Sequence, residues 1–204
     1  MDHAETIHYQ LGLPEGLELE AARLYDEAFG RKLAMAVRSA DARVRILAES
    51  IVRDRAMVAL DGGRIVGLAG FHDDRRHFTG AGSFGTLSRH VGWAKALWAA
   101  LVFALLEREP EPGELLMDGI AVDASARGQG VGTALLERLY AYAALRGYER
   151  IRLEVIDTNP GARRLYERVG FEAVETSHYP ILKRAMGFSA VTTMVRPVEP
   201  ATVS

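Results

Sequence analysis

The stretch LLMDGIAVDASARGQGVGTALLERLYAYAAL, residues 115–145, changes character twice. An apolar run from Leu115 to Val122 gives way to the glycine-rich hexamer Arg127-Gly128-Gln129-Gly130-Val131-Gly132, and this opens an amphipathic run from Val131 to Leu145. The first run has strand length and the last has helical spacing, so the segment reads strand, loop, helix. A strand feeding a helix through such a loop leaves several first-turn backbone N–H groups without intrahelical partners, all aimed at one point. Gly128, Gly130 and Gly132 remove the Cβ atoms that would hold an anion off those amides. Each charge-assisted N–H contact contributes roughly 1.5–3 kcal/mol, and the helix dipole adds on the order of 0.3–1 kcal/mol. Three or four such contacts, with Arg127 and Thr133 at the edges, would anchor a phosphate or pyrophosphate.

The hexamer alone does not name the ligand, and an ordinary glycine-rich turn opening a helix is the bland alternative. A nucleotide P-loop needs Lys followed by Ser or Thr after its last glycine, whereas Gly132 is followed by Thr133-Ala134. A dinucleotide fingerprint spaces its glycines G-x-G-x-x-G near the start of a βαβ unit. Here the spacing is even and the loop lies in the second half of the chain.

Some thirty residues on, Asn159, Ala162, Leu165, Tyr166, Gly170 and Phe171 form N-x-x-A-x-x-L-Y-x-x-x-G-F, after the strand-like Ile151–Ile156. Together with R-x-x-G-x-G at 127–132, this pattern resembles the GNAT acetyltransferase superfamily. The resemblance is specific over Glu114–Phe171 and extends elsewhere only as an order of elements. It implies an α/β (α+β) fold: a mixed, mostly antiparallel central sheet with flanking helices, in which the fourth and fifth strands are parallel and splay apart.

The remaining elements fit that order. Ile7–Leu11 reads as a strand, Leu17–Met35 and Val44–Val52 as helices, and Ala56–Leu60 with Arg64–Phe71 as a hairpin around Asp61-Gly62-Gly63. Val131–Leu145 is a helix ended by Gly147, and Pro160–Val169 one ended by Gly170. Phe171–Thr176 and Ala190–Pro197 complete the sheet as an antiparallel pair, joined by a loop holding Tyr179, Pro180 and Phe188. The departure from a plain family member is residues 73–113, a helical insertion between the third and fourth strands. Phe78–Gly85 is glycine-rich and reads as mobile, whereas Val91–Leu106 is nearly all apolar and includes Trp93, Trp98 and Phe103. A helix apolar all round must be covered, by its own sheet, by a second copy, or as a wall of the acceptor pocket. It is too short for a bilayer, which needs about 20 residues. Lys95 and Arg108 form no basic face for a membrane surface.

Composition narrows the function classes. The 204 residues suit one domain, 1–204. With 25 Lys+Arg against 27 Asp+Glu the formal charge is −2, which leaves no footprint for nucleic acid or an anionic membrane. There is no cysteine, so disulfides, thiolate metal sites and a cysteine acyl-enzyme are excluded together. The N-terminal Met-Asp-His-Ala-Glu-Thr lacks the basic and apolar regions of a secretory signal, and a cytoplasmic location is expected. His72, His77, His90 and His178 lie in or beside loops without ligand spacing, so no metal is expected.

The resemblance implies acetyl-CoA as acyl donor and an amine as acceptor. Arg127, Gly128, Gln129, Gly130, Val131, Gly132 and Thr133 would hold the pyrophosphate. Ile120, Ala121 and Val122 would line the gap where pantetheine pairs with the fourth strand, and a backbone N–H there would stabilise the oxyanion. Tyr166 matches the family's proton donor to the leaving thiolate, with packing against the cofactor as its alternative role. Asn159 would bond pantetheine or a water, and equally caps a helix before Pro160. Asp118 and Glu154 are the candidate bases, each of which also reads as an acceptor-binding anion or an arginine's partner. Alternation puts Asp118 on the side of Ile120 and Val122 unless a bulge at Gly119 shifts the register. Acceptor segments are Ala28–Ala42 and Thr176–Phe188, with Arg31, Lys32, Arg38, Lys183 and Arg184. A small-molecule amine is the first expectation and a peptide N-terminus or lysine the second. A catalytically silent acyl-CoA-binding or interaction module is the alternative function, and a homodimer is compatible with the resemblance.

Overall fold

The computed structural model describes residues 7–72, 78–79, 84–106, 109–179 and 187–199, without the side chains of residues 32 and 102–106. Along the described chain run β1 (His8–Leu11), α1 (Glu18–Leu33), α2 (Ala40–Ser50), β2 (Ala56–Asp61), β3 (Arg64–His72), α3 (Phe84–Val91) and α4 (Trp93–Leu106). They are followed by β4 (Glu114–Val122), α5 (Val131–Arg146), β5 (Arg150–Ile156), α6 (Pro160–Arg168), β6 (Glu172–His178) and β7 (Ala190–Pro197). The strands form one open sheet in the order β1-β2-β3-β4-β5-β7-β6. β4 and β5 are parallel, and the other neighbours are antiparallel, as the sequence pattern leads one to expect.

Local chemistry sets the boundaries. Asp61 pairs with Arg64 across a two-residue turn, with Gly62 at φ 55° and Gly63 at φ 83°. That doubly left-handed turn matches the twist of the strands, and side chains with a Cβ resist it. Ser39 caps α2 by accepting from the Ala42 amide at 3.3 Å. Gly147, at φ 76°, ends α5 by donating its amide to carbonyls of the last turn.

Each face of the sheet carries a helical layer. On one, α5 and α6 cover Leu115, Met117, Ile151, Leu153 and Met194 with Leu136, Leu139 and Tyr166; α5 also seats Val131 and Leu135 on Ala59, Val66 and Ala69. On the other, α1 lays Ala21, Ala22, Leu24 and Tyr25 on Val58, Leu68 and Ala121. Leu153 has no exposed surface, so Leu153→Ala removes about 2–5 kcal/mol, a large share of a typical domain's stability.

The insertion differs from expectation. Gly92, at φ 78°, separates two helices, α3 and α4, where the apolar pattern suggests one over Val91–Leu106. Phe78 is not in a mobile stretch: its ring is fully buried, its carbonyl accepts from the Val52 amide at 2.8 Å, and Thr79 bridges to Ile51. The rest of the expected mobile part before α3 lies outside the described residues. Within this chain α4 is covered along one side among the described residues. Ala96 and Ala99 seat it against Ala36, Val37, Ile46 and Leu87, while Trp93, Leu97, Trp98 and Leu101 stay exposed. Small residues allow the close approach, and this turns the large ones outward. Trp98 still satisfies its indole N–H by donating to the Met35 carbonyl at 3.1 Å. Among the described residues no helix is long and apolar enough to cross a membrane.

The described histidines lie at or near the ends of elements. His72 ends β3, His178 ends β6, and His90 lies within α3 with its Nε2 2.8 Å from Glu49 Oε1; His77 lies outside the described residues. Among the described residues no group of three or more His, Asp or Glu could hold a metal ion.

Candidate active site

The sheet opens between β4 and β5. Their pairing covers only Glu114↔Arg150, Leu115↔Ile151 and Leu116↔Arg152, after which β4 continues to Val122 and β5 to Ile156. On its other side β4 stays paired with β3 as far as Val122↔Gly67. One edge of β4 from Met117 onward therefore faces a gap rather than a strand. At about 3.3 Å per residue the edge offers room for an extended ligand to pair as a strand would. Ile120, Ala121 and Val122 lie along it.

A clamp of ions holds the closed end. Glu114 is 2% exposed and accepts from Arg150 Nε at 3.2 Å, from Arg152 Nε at 2.9 Å and from the Glu111 amide at 3.0 Å. Arg152 thus pairs with Glu114, which the sequence reading passed over, and also donates to the Glu109 carbonyl at 2.8 Å. Its signal was present: a glutamate heading an apolar strand, with two arginines at alternate positions of the next.

At the open end lies the glycine loop. Gly128 is at φ 77° and Gly130 at φ 82°, and a Cβ on either would meet nothing within 4 Å. Gly130 occupies the N-cap position of α5, no side chain caps that end, and helical bonding begins with the Ala134 amide donating to the Gly130 carbonyl at 2.9 Å. The amides of Val131, Gly132 and Thr133 precede that bond and lack intrahelical acceptors. Val131 contributes only backbone, its side chain being buried. Arg127 Nε donates to the Val122 carbonyl at 3.0 Å and Gln129 Nε2 to the Ser125 carbonyl at 2.8 Å, which ties the loop to the end of β4. Asp123, hydrogen-bonded by the Ser125 hydroxyl and amide, is held below the usual carboxylate range. Gly132 has a packing reason as well: a Cβ there would lie 3.1 Å from Leu165 Cδ2, so α6 rests against the head of α5.

The loop's open face, its uncapped amides and the unpaired strand edge fit a diphosphate carrying a long extended arm. Sheet and loop together make a frame for one phosphate-bearing ligand laid along a strand edge.

Asp118 is the extra residue of a β-bulge. Gly70 pairs with Gly119, and the next residue, Phe71, pairs with Met117, which leaves Asp118 without an opposite number. Leu115 and Met117 face α5, as does Ile120, but Ala121 faces α1. The alternation that would place Asp118 beside Ile120 and Val122 is therefore broken, and its carboxylate turns to the α1 side. There Tyr25 Oη donates to Asp118 Oδ2 at 2.9 Å and His72 Nε2 lies 3.5 Å from Oδ1. Burial, then the neighbouring Asp118 charge, push the Tyr25 phenol well above its ordinary value. From sequence His72 is weighed only as a metal ligand, and Tyr25 carries no functional signal. Tyr25 reads as one more apolar position of a helix, and only a long-range contact reveals its hydroxyl.

The other expected residues fall on two sides. Tyr166 is buried on the α5/α6 side among Met117 and Val155, one from each splayed strand. Its ring centroid is 6.0 Å from that of Phe171, and burial pushes its phenol well above the ordinary value. Asn159 caps α6, its Oδ1 accepting from the Ala162 amide at 3.1 Å, with Pro160 in the first turn. Glu154 is exposed on the opposite face from Leu153 and Val155. With Arg152, Glu175, Ser177, Tyr179, Val191 and Thr193 it lines a cavity of about 200 Å³. Arg31 and Arg38 are exposed; the side chain of Lys32, together with Lys183 and Arg184, lies outside the described residues.

A model of the acetyltransferase (GNAT) family matches residues 20–171. The chain is 45% identical over 56 residues to an uncharacterized N-acetyltransferase of Methanocaldococcus jannaschii, which is 28% of this chain and 25% of that protein. It is 39% identical over 69 residues to the ribosomal protein bS18-alanine N-acetyltransferase of Escherichia coli, 33% of this chain and 47% of that one. The matches thus span less than half the length of these curated relatives. Among solved structures, a GCN5-related N-acetyltransferase from Kribbella flavida superimposes with a TM-score of 0.60 at 20% identity, over 95% of this chain and 99% of that one, a likeness of fold. The chain belongs to the acetyltransferase (GNAT) family.

Proposed function

We propose that the chain is an acetyl-CoA-dependent N-acetyltransferase that moves an acetyl group to a primary amine, first of all that of a small molecule, by direct transfer in a ternary complex. One observation carries the reading: Asp118 and Tyr166 lie on opposite faces of the sheet, on or against the two strands that part. A donor seated from the α5/α6 side and an acceptor approaching from the α1 side would meet through the gap.

Bound acetyl-CoA supplies the activated acetyl thioester. The first-turn amides of Val131, Gly132 and Thr133, with the loop from Arg127 to Gly130, hold its pyrophosphate. The free edge along Ile120, Ala121 and Val122 pairs with its arm and offers an N–H to the thioester oxygen. Asn159, already fixed as a helix cap, borders that arm. Asp118 takes a proton from the acceptor's ammonium so that the free amine can attack the thioester carbon, a step contributing typically 10²–10⁴-fold. Tyr166, kept protonated by burial, gives a proton to the departing sulfur. Glu154, lining its own cavity on the acceptor side, holds the amine's positive charge before transfer. The absence of cysteine supports transfer without a covalent cysteine intermediate.

The test is turnover. Incubation with acetyl-CoA and a panel of small primary amines and short peptides should release CoA and yield a product heavier by one acetyl group. Release with peptides alone would move the acceptor to the peptide class, which the bS18-alanine relative favours. No release with any amine would sink the enzyme reading. The exposed face of Trp93, Leu97, Trp98 and Leu101 then favours the second reading, an acyl-CoA-binding interaction module.

A further inference from the structure

The bulge that presents Asp118 is built on two glycines, each pressed by an aromatic ring. Gly70 of β3 and Gly119 of β4 pair directly. A Cβ on Gly70 would fall 2.3 Å from Phe78 Cδ1, and one on Gly119 would fall 2.4 Å from Phe29 Cζ. Real Cβ contacts are not that short, so both rings occupy the space that side chains would take. Between them stands Tyr25, its ring centroid 4.5 Å from that of Phe29 and 5.5 Å from that of Phe78. Tyr25 and Phe29 are four residues apart on α1 and so share a face of the helix. Of these three rings only Tyr25 carries a hydroxyl, and that hydroxyl meets the carboxylate of the bulged residue.

Apolar packing accounts for three aromatic residues here. It does not account for a phenol, since a buried hydroxyl costs free energy unless it is hydrogen-bonded, and phenylalanine would fill the same space. The Asp118 side chain retains 26% exposure, enough to meet an acceptor, and a partly exposed aspartate on a bulge samples several rotamers. The Tyr25 hydroxyl from α1 donates to one oxygen of that carboxylate, and His72 Nε2 from β3 lies 3.5 Å from the other.

From this geometry we propose that Tyr25 is the positioning residue for the proton-accepting carboxylate of Asp118, with the Phe29 and Phe78 rings as the socket that aims it. The proposal rests on the reading of Asp118 as base. Tyr25 takes no proton itself; it holds Oδ2 so that the carboxylate keeps one orientation toward the gap. The aromatic–glycine contacts explain why both positions are glycine: neither Gly70 nor Gly119 can accept a side chain while α1 and Phe78 pack as they do.

The experiment compares Tyr25→Phe, Asp118→Asn and the double variant with the parent on one accepted amine, recording kcat, the KM for acetyl-CoA, and kcat/KM against pH. Tyr25→Phe keeps the ring contacts and should lower kcat roughly tenfold or more with the acetyl-CoA KM unchanged. Its acidic limb should move to higher pH, because a donated hydrogen bond favours the ionised carboxylate. Tyr25 and His72 face Asp118, and every group but the Tyr25 hydroxyl is common to both proteins, so the difference reports the phenol. In the Asp118→Asn background Tyr25→Phe should change nothing further, a coupling readable at any temperature at which all four proteins fold. If Asp118→Asn is inactive while Tyr25→Phe matches the parent in rate and limb, positioning is overturned and the base reading stands. If Asp118→Asn turns over like the parent, the base reading fails and the proposal with it.

Discussion

Replacing Glu114 by glutamine tests what holds the two central strands together at the closed end of the gap. The carboxylate is 2% exposed and accepts two guanidinium bonds, at 3.2 Å from Arg150 and 2.9 Å from Arg152, besides the Glu111 amide at 3.0 Å. A hydrogen bond to a charged group contributes about 1.5–3 kcal/mol and a neutral one about 0.5–1.5 kcal/mol. Converting both arginine contacts therefore removes about 2–3 kcal/mol, and the new amide NH2 points a donor at groups that are already donors. For a chain of this size each kcal/mol moves Tm by roughly 2–4 °C, so Glu114→Gln should melt about 4–12 °C early. Its strand pairs, Glu114↔Arg150 through Leu116↔Arg152, are the recorded ladder between β4 and β5, so affinity for acetyl-CoA should fall as well. Glu111→Gln is the control: that side chain is 69% exposed although only 2.6 Å from Arg150, and an exposed pair contributes about 0–1 kcal/mol. Thermal melts at equal concentration, with calorimetry for acetyl-CoA, decide the matter. A Glu114→Gln protein that melts with the parent, or a Glu111→Gln protein that falls as far, refutes the clamp.

Gly130→Ala forces a Cβ onto a residue at φ 82° in otherwise open space. It should cost about 1–2 kcal/mol of backbone strain, and calorimetry should show at least a roughly tenfold loss of acetyl-CoA affinity if one amide contact is misplaced. Tyr166→Phe should lower kcat roughly tenfold or more while leaving acetyl-CoA affinity in place. Burial raises the folded phenol, so its contribution to stability is complete below the ordinary phenol value of about 10 and is lost as pH rises above it. Denaturant melts of Tyr166→Phe should accordingly show a shallower alkaline decline than the parent. Glu154→Gln should raise the amine KM with little change in kcat; a kcat loss matching that of Asp118→Asn would make it the base instead.

Much of this architecture is legible in the chain because its cues are local. The strand–glycine–helix passage at 115–145, the Asp61-Gly62-Gly63 turn and the Asn159-Pro160 cap each state their geometry within a few residues. The parallel pair follows from a helix lying between two apolar strands. What escaped depends on contacts distant in sequence. Alternation within β4, with a bulge at Gly119 as its alternative, leaves open which way the Asp118 carboxylate turns, and the contact that shows it comes from Tyr25. Tyr25 is 93 residues from the aspartate it meets. The uncovered side of α4 follows from Ala96 and Ala99 seating the helix, whereas the hydrophobic pattern shows only that the helix is apolar, not which face is met.

The most direct measurement is the initial rate of CoA release by Asp118→Asn beside the parent protein, on one accepted amine with saturating acetyl-CoA and with acetyl-CoA affinity measured on both. The account predicts a fall of about 10²–10⁴-fold in kcat with acetyl-CoA bound equally well by the two proteins. Equal rates, or a parent that releases CoA to no amine, would contradict it.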